Sequence, residues 1–522
     1  MYDAIVIGGG VNGLIAAIAI ARRKKSVLVL ERRDAAGGAA MTSELLPGFH
    51  VPALTHAIGP IRPDIARAIG LTRLVEMIAP DPAVTSLGVN GRAISFHRDP
   101  VLTAASIDRA SSADAARWRP FLASTNAIGR VVAALQRQQP PPLDGLDLRE
   151  ALKLLRLGRQ ARRLGRQDLA RAARWTPMAV ADLTAEWFGC DQVKAAIAAH
   201  AIFGNFAGPR SGGTGGMLLQ RLGADPLPVG TGVSVRGGPG ALARALTTIA
   251  EKAGVTIRTG ALVRHIRTTA GAAAGVGLDS GEEIVSRAVI AAIDPRQALI
   301  DLVDPVALAP TIRDRARHLR QRGVTAKVNL ALAGLPPVPA VGGDAVPLRG
   351  RLLIAPGLDY LERAFDAAKY GAWSPAPWLD IAIPSVADPS LVPEGRHVMS
   401  ICVHYAPRHL RAGSWAGEKD ALYRSVLSAL EPHMPGLAGL VLGSQVITPE
   451  ELESGWGMTG GHIFHAETAL DQSWIARPLL GWARHRAPVP NLYLASAGTH
   501  PGGGLTGASG WMAAQALIED LK

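Results

Sequence analysis

The run Ala4-Ile5-Val6-Ile7-Gly8-Gly9-Gly10-Val11-Asn12-Gly13 decides the fold. Four apolar residues, three of them β-branched, read as a short strand buried on both faces. Gly8, Gly10 and Gly13 satisfy GxGxxG, an Ala/Ile/Leu-rich helix is expected over about 14–23, and a second strand, Val27-Leu28-Val29-Leu30, ends in Glu31. Strand, glycines, helix, strand and acid in that order give the spacing a mechanism. Gly8 allows the tight turn, Gly10 lets backbone approach a pyrophosphate, and Gly13 lets helix and strand pack closely. Unpaired amides and the positive helix end then hold the phosphates. Glu31, 23 residues after Gly8, is placed to accept from a ribose diol.

Working outward, the chain continues from Glu31 through Arg32-Arg33-Asp34-Ala35-Ala36 to Gly37-Gly38. At the far end, a strand over 491–495 leads into Ser496-Ala497-Gly498-Thr499-His500-Pro501-Gly502-Gly503-Gly504, and a helix is expected over about 511–521. This is again a strand, a loop almost free of side chains and a helix N-terminus. A third segment reads as a strand over 233–236, a turn at 237–240, a helix over 241–253 and a strand over 255–259, followed by Gly260, Val263 and Ile266.

The spacing from Glu31 to Gly38 resembles the extended FAD motif of glutathione-reductase-like flavoproteins, and 497–504 resembles the C-terminal flavin signature of phytoene-desaturase-like enzymes. Glu186-Trp187-Phe188, Gly208-Pro209-Arg210-Ser211, Asp294-Pro295 and Gly460-Gly461-His462-Ile463-Phe464-His465 extend the likeness over most of the chain, which looks like the branch of pyridine nucleotide-disulfide oxidoreductase domain-containing proteins. The resemblance implies an α/β, two-domain, Rossmann-like FAD-binding fold of the glutathione-reductase type with a discontinuous substrate domain. The FAD domain would come from 1–70, 228–300 and 480–522, and the substrate domain from 71–227 and 301–479. FAD would be held by Gly8, Gly10, Asn12, Gly13, Glu31, Arg32, Gly37, Gly38, Val263, Gly498, Thr499, Gly503 and Gly504. The implied activity is oxidation or desaturation, a C–H hydride of an apolar, isoprenoid-like substrate passing to flavin N5, with oxygen or a quinone as candidate acceptor. A flavin amine oxidase and a non-catalytic FAD-binding scaffold are the alternatives. Catalytic side chains are not identified by this chemistry; His56, His462 and His500 are weak candidates. Met41 departs from the pattern, standing where many relatives carry Arg.

A rival nucleotide reading attaches to Gly238-Pro239-Gly240-Ala241-Leu242-Ala243, which fits GxGxxA, with Arg258 placed for a 2′-phosphate. Pro239 removes an amide that phosphates would want, and that weighs against NADP.

Composition narrows the rest. The 522 residues, 48% hydrophobic and 19% charged, exclude general disorder and exceed one compact core. Two distant cysteines, Cys190 and Cys402, leave neither a disulfide framework nor a CxxC redox pair, and a cytoplasmic protein is expected. His462 and His465 have HxxH spacing without a third ligand, so no metal is expected. The net charge is +12, of which 149–174 contributes +7. No nucleic-acid module accompanies it, so nucleic acid is not an expected partner. On a helix, Leu154, Leu157, Ala161 and Leu164 share one face with arginines mostly elsewhere. That pattern suits either a peripheral membrane contact or an ordinary domain helix whose leucines face the core.

Overall fold

The computed structural model describes residues 1–59, 61–145 and 147–521; Lys522, the end of the third expected FAD segment, lies outside them. The strand Ala4–Ile7 is central in a five-stranded parallel sheet, ordered Leu492–Leu494, Val289–Ala291, Ala4–Ile7, Val27–Leu30, Thr256–Arg258. All five strands fall inside 1–70, 228–300 and 480–522, so three distant stretches of chain build one sheet. Its residues sort by parity. Ala4, Val6, Val27, Val29, Ile290 and Tyr493 join the core beneath the helices Val11–Ala21, Pro239–Lys252 and Ala508–Asp520. Ile5, Ile7, Leu28, Leu30, Val289, Ala291, Leu492 and Leu494 face a three-stranded antiparallel layer, Val263–Thr269, Ala272–Leu278 and Glu283–Val285. Burial on both faces is why four of these strands are continuously apolar rather than alternating, while Thr256–Arg258 at the sheet edge is partly exposed.

The second body is a seven-stranded sheet, ordered Val441–Ile447, Thr325–Leu332, His397–His404, Trp378–Ala382, Arg351–Ile354, Val84–Leu87, Ala93–Phe96. Its neighbours pair antiparallel except for Arg351–Ile354 with Val84–Leu87. One face carries the apolar core of Ala326, Val328, Leu330 and Leu332, covered by the helix Trp415–Leu430. On the other, the register sets Lys327 beside Cys402 and Cys402 beside Asp380, with Thr325, His404 and Trp378 as the adjacent row. A period of two thus gathers lysine, thiol and carboxylate on a single face.

The basic segment forms two helices, Leu148–Arg162 and Gly165–Trp175. Leu154, Leu157, Ala161 and Leu164 are half-buried, as on a domain helix, but a second apolar stripe of Leu148, Leu152 and Leu155 is exposed, with Leu169 exposed on the second helix. Among the described residues, no helix is long and apolar enough to cross a membrane.

Candidate functional site

The two bodies enclose a cavity of about 460 Å³. Its nucleotide wall begins at Gly8, where φ is +98° and the chain turns sharply off the first strand. Helix Val11–Ala21 follows with Gly10 at its N-cap and no side-chain cap, leaving its first amides free. A Cβ on Gly10 would stand 3.8 Å from the Gly38 Cα, so little but space covers this backbone. Such a helix start is an anion site. Gly13 lies off the cavity and packs under the turn: a Cβ there would overlap the Gly8 carbonyl oxygen. Gly37 braces the turn from behind, its N–H donating to the Gly9 carbonyl at 2.8 Å.

Glu31 closes the second strand, with Oε2 accepting from the Gly9 N–H at 2.8 Å and Oε1 from the Arg33 N–H at 3.0 Å. It lines the cavity with Arg32, Gly38 and Val263. Arg33, which the sequence reading passed over, lies 3.6 Å above the Trp456 ring, and its Nη1 is buried without a partner. Burial pushes this guanidinium down from its ordinary value. A buried donor facing a nucleotide-shaped space fits a bound dinucleotide, as do the open Gly10 backbone and the uncapped helix.

The C-terminal loop returns to the same cavity through 501–506, including Gly503 and Gly504. Gly498 and Thr499 stand behind it: the Gly498 N–H donates to Ser496 Oγ, and Thr499 Oγ1 donates to the Ser496 carbonyl. Arg477, fully buried, fixes this loop by donating to the carbonyls of Ala497 and Thr499 as well as Ala466, Glu467 and Gln472. The Gly510 N–H donates to Asn12 Oδ1 at 3.2 Å, tying the two ends of the chain together beside the cavity. The second glycine turn is differently occupied. The Gly240 N–H donates to Thr42 Oγ1 and the Gly237 N–H to Asp388 Oδ2, so the protein itself fills that turn.

Of the three histidines, His56 lines the cavity. Lys327 Nζ donates to its Nδ1 at 2.9 Å, which leaves the proton on Nε2, 3.1 Å from Asp380 Oδ1. Lys327 also lies 3.7 Å from Cys402 Sγ. Burial would raise Asp380, but the Arg351 guanidinium and His56 hold it below the ordinary carboxylate range. Burial draws Lys327 down. His462 and His500 are elsewhere: His462 Nδ1 accepts the Phe464 N–H, and His500 Nε2 meets the Gln138 carbonyl at 2.9 Å. Burial first, with nearby charged groups second, pushes both to about 3, which keeps them neutral. Among the described residues, no group of three or more His, Cys, Asp and Glu is arranged to hold a metal ion.

A family model described as flavin containing amine oxidoreductase matches residues 12–518. The chain belongs to that family. It is an FAD-dependent oxidoreductase with an α/β fold of the amine oxidase type. Pyridine nucleotide-disulfide oxidoreductase domain-containing protein 2 of Rattus norvegicus is 31% identical over 545 residues, covering 100% of this chain and 94% of the relative. The lycopene-forming phytoene desaturase of Pantoea ananas is 26% identical, with both chains covered in full. An oxidoreductase from Methanosarcina mazei shares the fold, with a TM-score of 0.62, 16% identity and 99% of each chain covered. The cavity wall described above would hold FAD through Gly10, Asn12, Glu31, Arg33 and Val263.

Proposed function

We propose that the protein oxidises or desaturates an apolar substrate at a C–H bond, with oxygen or a quinone as the final acceptor. When bound, FAD supplies the two-electron acceptor for such a bond. The observation that carries the reading is the continuity of the nucleotide wall with a chamber of Leu54, Ile58, Phe203, Met217, Ile463 and Phe464. These side chains exclude water and orient a substrate without any covalent bond to it. His56 is held in one tautomer by Lys327 and Asp380, so it presents a fixed face to the chamber. The rival reading is amine oxidation, supported by the family's name. Anaerobic mixing separates them: polyenes in detergent should bleach the flavin absorbance of the purified protein, and amines should leave it unchanged. Bleaching by amines alone would overturn the proposal, and indifference to every donor would favour a non-catalytic FAD protein.

The exposed stripe of Leu148, Leu152 and Leu155, flanked by Arg149, Arg156 and Arg159, suits an anionic lipid surface. Its helix packs on Ser112–Gln136, whose end, at Ala133, Gln136 and Arg137, borders the cavity, so a lipid-soluble substrate would have a short route inward. The protein should therefore float with phosphatidylglycerol vesicles and not with phosphatidylcholine alone. The double substitution Leu152→Asp and Leu155→Asp should lower that binding at least tenfold with FAD content unchanged. Equal flotation of the variant would refute the contact.

A further inference from the structure

The chamber is apolar, yet Arg221, Lys327 and Arg351 are among the cations that line the cavity. Arg351 is ion-paired to Asp380. The other two have no carboxylate within ion-pair distance among the described residues. Arg221 comes from the helix Thr214–Ala224 and donates to the carbonyls of Ala201, at 3.3 Å, and Phe203, at 2.5 Å. Its guanidinium carbon lies 5.8 Å from the Phe203 ring centre and 5.4 Å from that of Phe464. Among the described residues, the partners of Lys327 are the His56 nitrogen and the Cys402 sulfur. The acid nearest Arg221 in sequence, Asp225, is already engaged: its carboxylate accepts the Leu227 N–H, the Thr231 N–H and the Thr231 hydroxyl.

Among the described residues Arg221 thus borders the chamber without an ion-pair partner, whereas burial would raise the Cys402 thiol beside Lys327 but Lys327 and His56 draw it below its ordinary value. An uncompensated charge in low dielectric is costly, so such residues persist where a ligand completes the pair. The phosphates of FAD would be held elsewhere, on the amides after Gly10. We propose that Arg221, with Lys327 as second donor, forms an anion subsite that takes the carboxylate of an amphiphilic substrate whose chain fills the apolar chamber. A carboxylate brings one charge to the unpaired Arg221, and its two oxygens match the planar guanidinium fork. A protonated amine would meet the like charge of Arg221. A neutral polyene would leave Arg221 as unpaired as before.

This deepens the proposed oxidation of an apolar substrate and rests on it for the identity of the chamber. The test uses the FAD-loaded full chain and follows the visible flavin spectrum while dodecanoate, dodecanol or dodecylamine is added at fixed pH. Dodecanoate should bind at least tenfold more tightly than either neutral or cationic analogue. Arg221→Gln should weaken dodecanoate by about ten- to a hundredfold, the range for losing a charged hydrogen-bond partner, and leave dodecanol unchanged. Arg221→Lys should restore part of the loss, and Lys327→Met should weaken dodecanoate independently. Equal affinities of wild-type protein for dodecanoate and dodecanol would overturn the subsite, whatever the variants do. So would an Arg221→Gln protein that keeps its FAD and binds dodecanoate normally. The two proposals fail separately: headgroup indifference in a protein that polyenes still bleach removes only the subsite, and tight dodecanoate binding in a protein that no C–H donor bleaches removes only the oxidation.

Discussion

Replacing Gly510 with valine is expected to yield a protein with a sharply lowered melting temperature and little bound FAD. The first turn of helix Ala508–Asp520 packs directly on the first turn of Val11–Ala21, and a Cβ on Gly510 would overlap the Asn12 carbonyl oxygen. Backbone is the obstacle, so no rotamer relieves it. Ala513, Ala514, Ala16 and Ala17, all buried, make the same helix pair close along its length. Forcing the pair apart breaks the bond from the Gly510 N–H to Asn12 and opens the apolar core beneath. Overpacking of this kind costs about 1–3 kcal/mol, and lost backbone contacts add to it. The consequence for the cofactor is larger than the stability loss alone, because both helix starts that border the cavity move together. Thermal melting and the ratio of flavin to protein absorbance measure the two effects. Gly158→Ala is the control. That glycine lies inside the helix Leu148–Arg162 with nothing near its Cβ direction, and alanine there should stabilise by up to about 1 kcal/mol. A Gly510→Val protein that melts and carries FAD like the parent would refute the close contact between the chain ends.

The nucleotide half of this molecule is legible in the sequence because its proposed binding groups are backbone amides. Where amides hold the ligand, glycine is the only side-chain choice that leaves room, and the pattern 8–13 records it. Glu31 follows because a strand of fixed length ends where the ribose must lie. Arg33 was passed over because its role depends on Trp456, more than 400 residues away, and no local spacing encodes that stacking. The chamber was harder still. Lys327, Cys402 and Asp380 meet only through the register of three strands. A trace of them was present: Thr325, Lys327 and Asn329 are polar at alternate positions of a strand otherwise apolar, as are Ser400, Cys402 and His404. Alternation inside a fully buried strand signals a face that is not ordinary core. His462 and His500 drew notice through their glycine-rich surroundings, yet both are packed away from the cavity against backbone groups. The outward stripe of Leu148, Leu152 and Leu155 was masked by the inward one, since both share the same helical period.

Glu31→Ala should abolish stable FAD retention while leaving most of the fold in place. The carboxylate serves two partners within the protein, the N–H groups of Gly9 and Arg33. Its remaining lone pairs face the cavity, where a ribose diol would donate to them. Alanine removes the acceptor for the buried Gly9 N–H, which costs about 1–3 kcal/mol, and the charge-assisted bonds to ribose, about 1.5–3 kcal/mol. Part of the first cost falls on the free protein and part on the complex, because the Gly9 turn is the one that shapes the phosphate cradle. Together they predict that FAD binds roughly a hundred- to a thousandfold more weakly. Glu31→Gln separates the contributions. Its amide oxygen can still accept from Gly9, so the turn survives, while the loss of charge should weaken FAD by only about tenfold. Fluorescence titration of stripped protein with FAD measures both. Alanine and glutamine variants with equal, near-parental affinity would show that neither the Gly9 contact of Glu31 nor a contact to the ribose supports FAD binding.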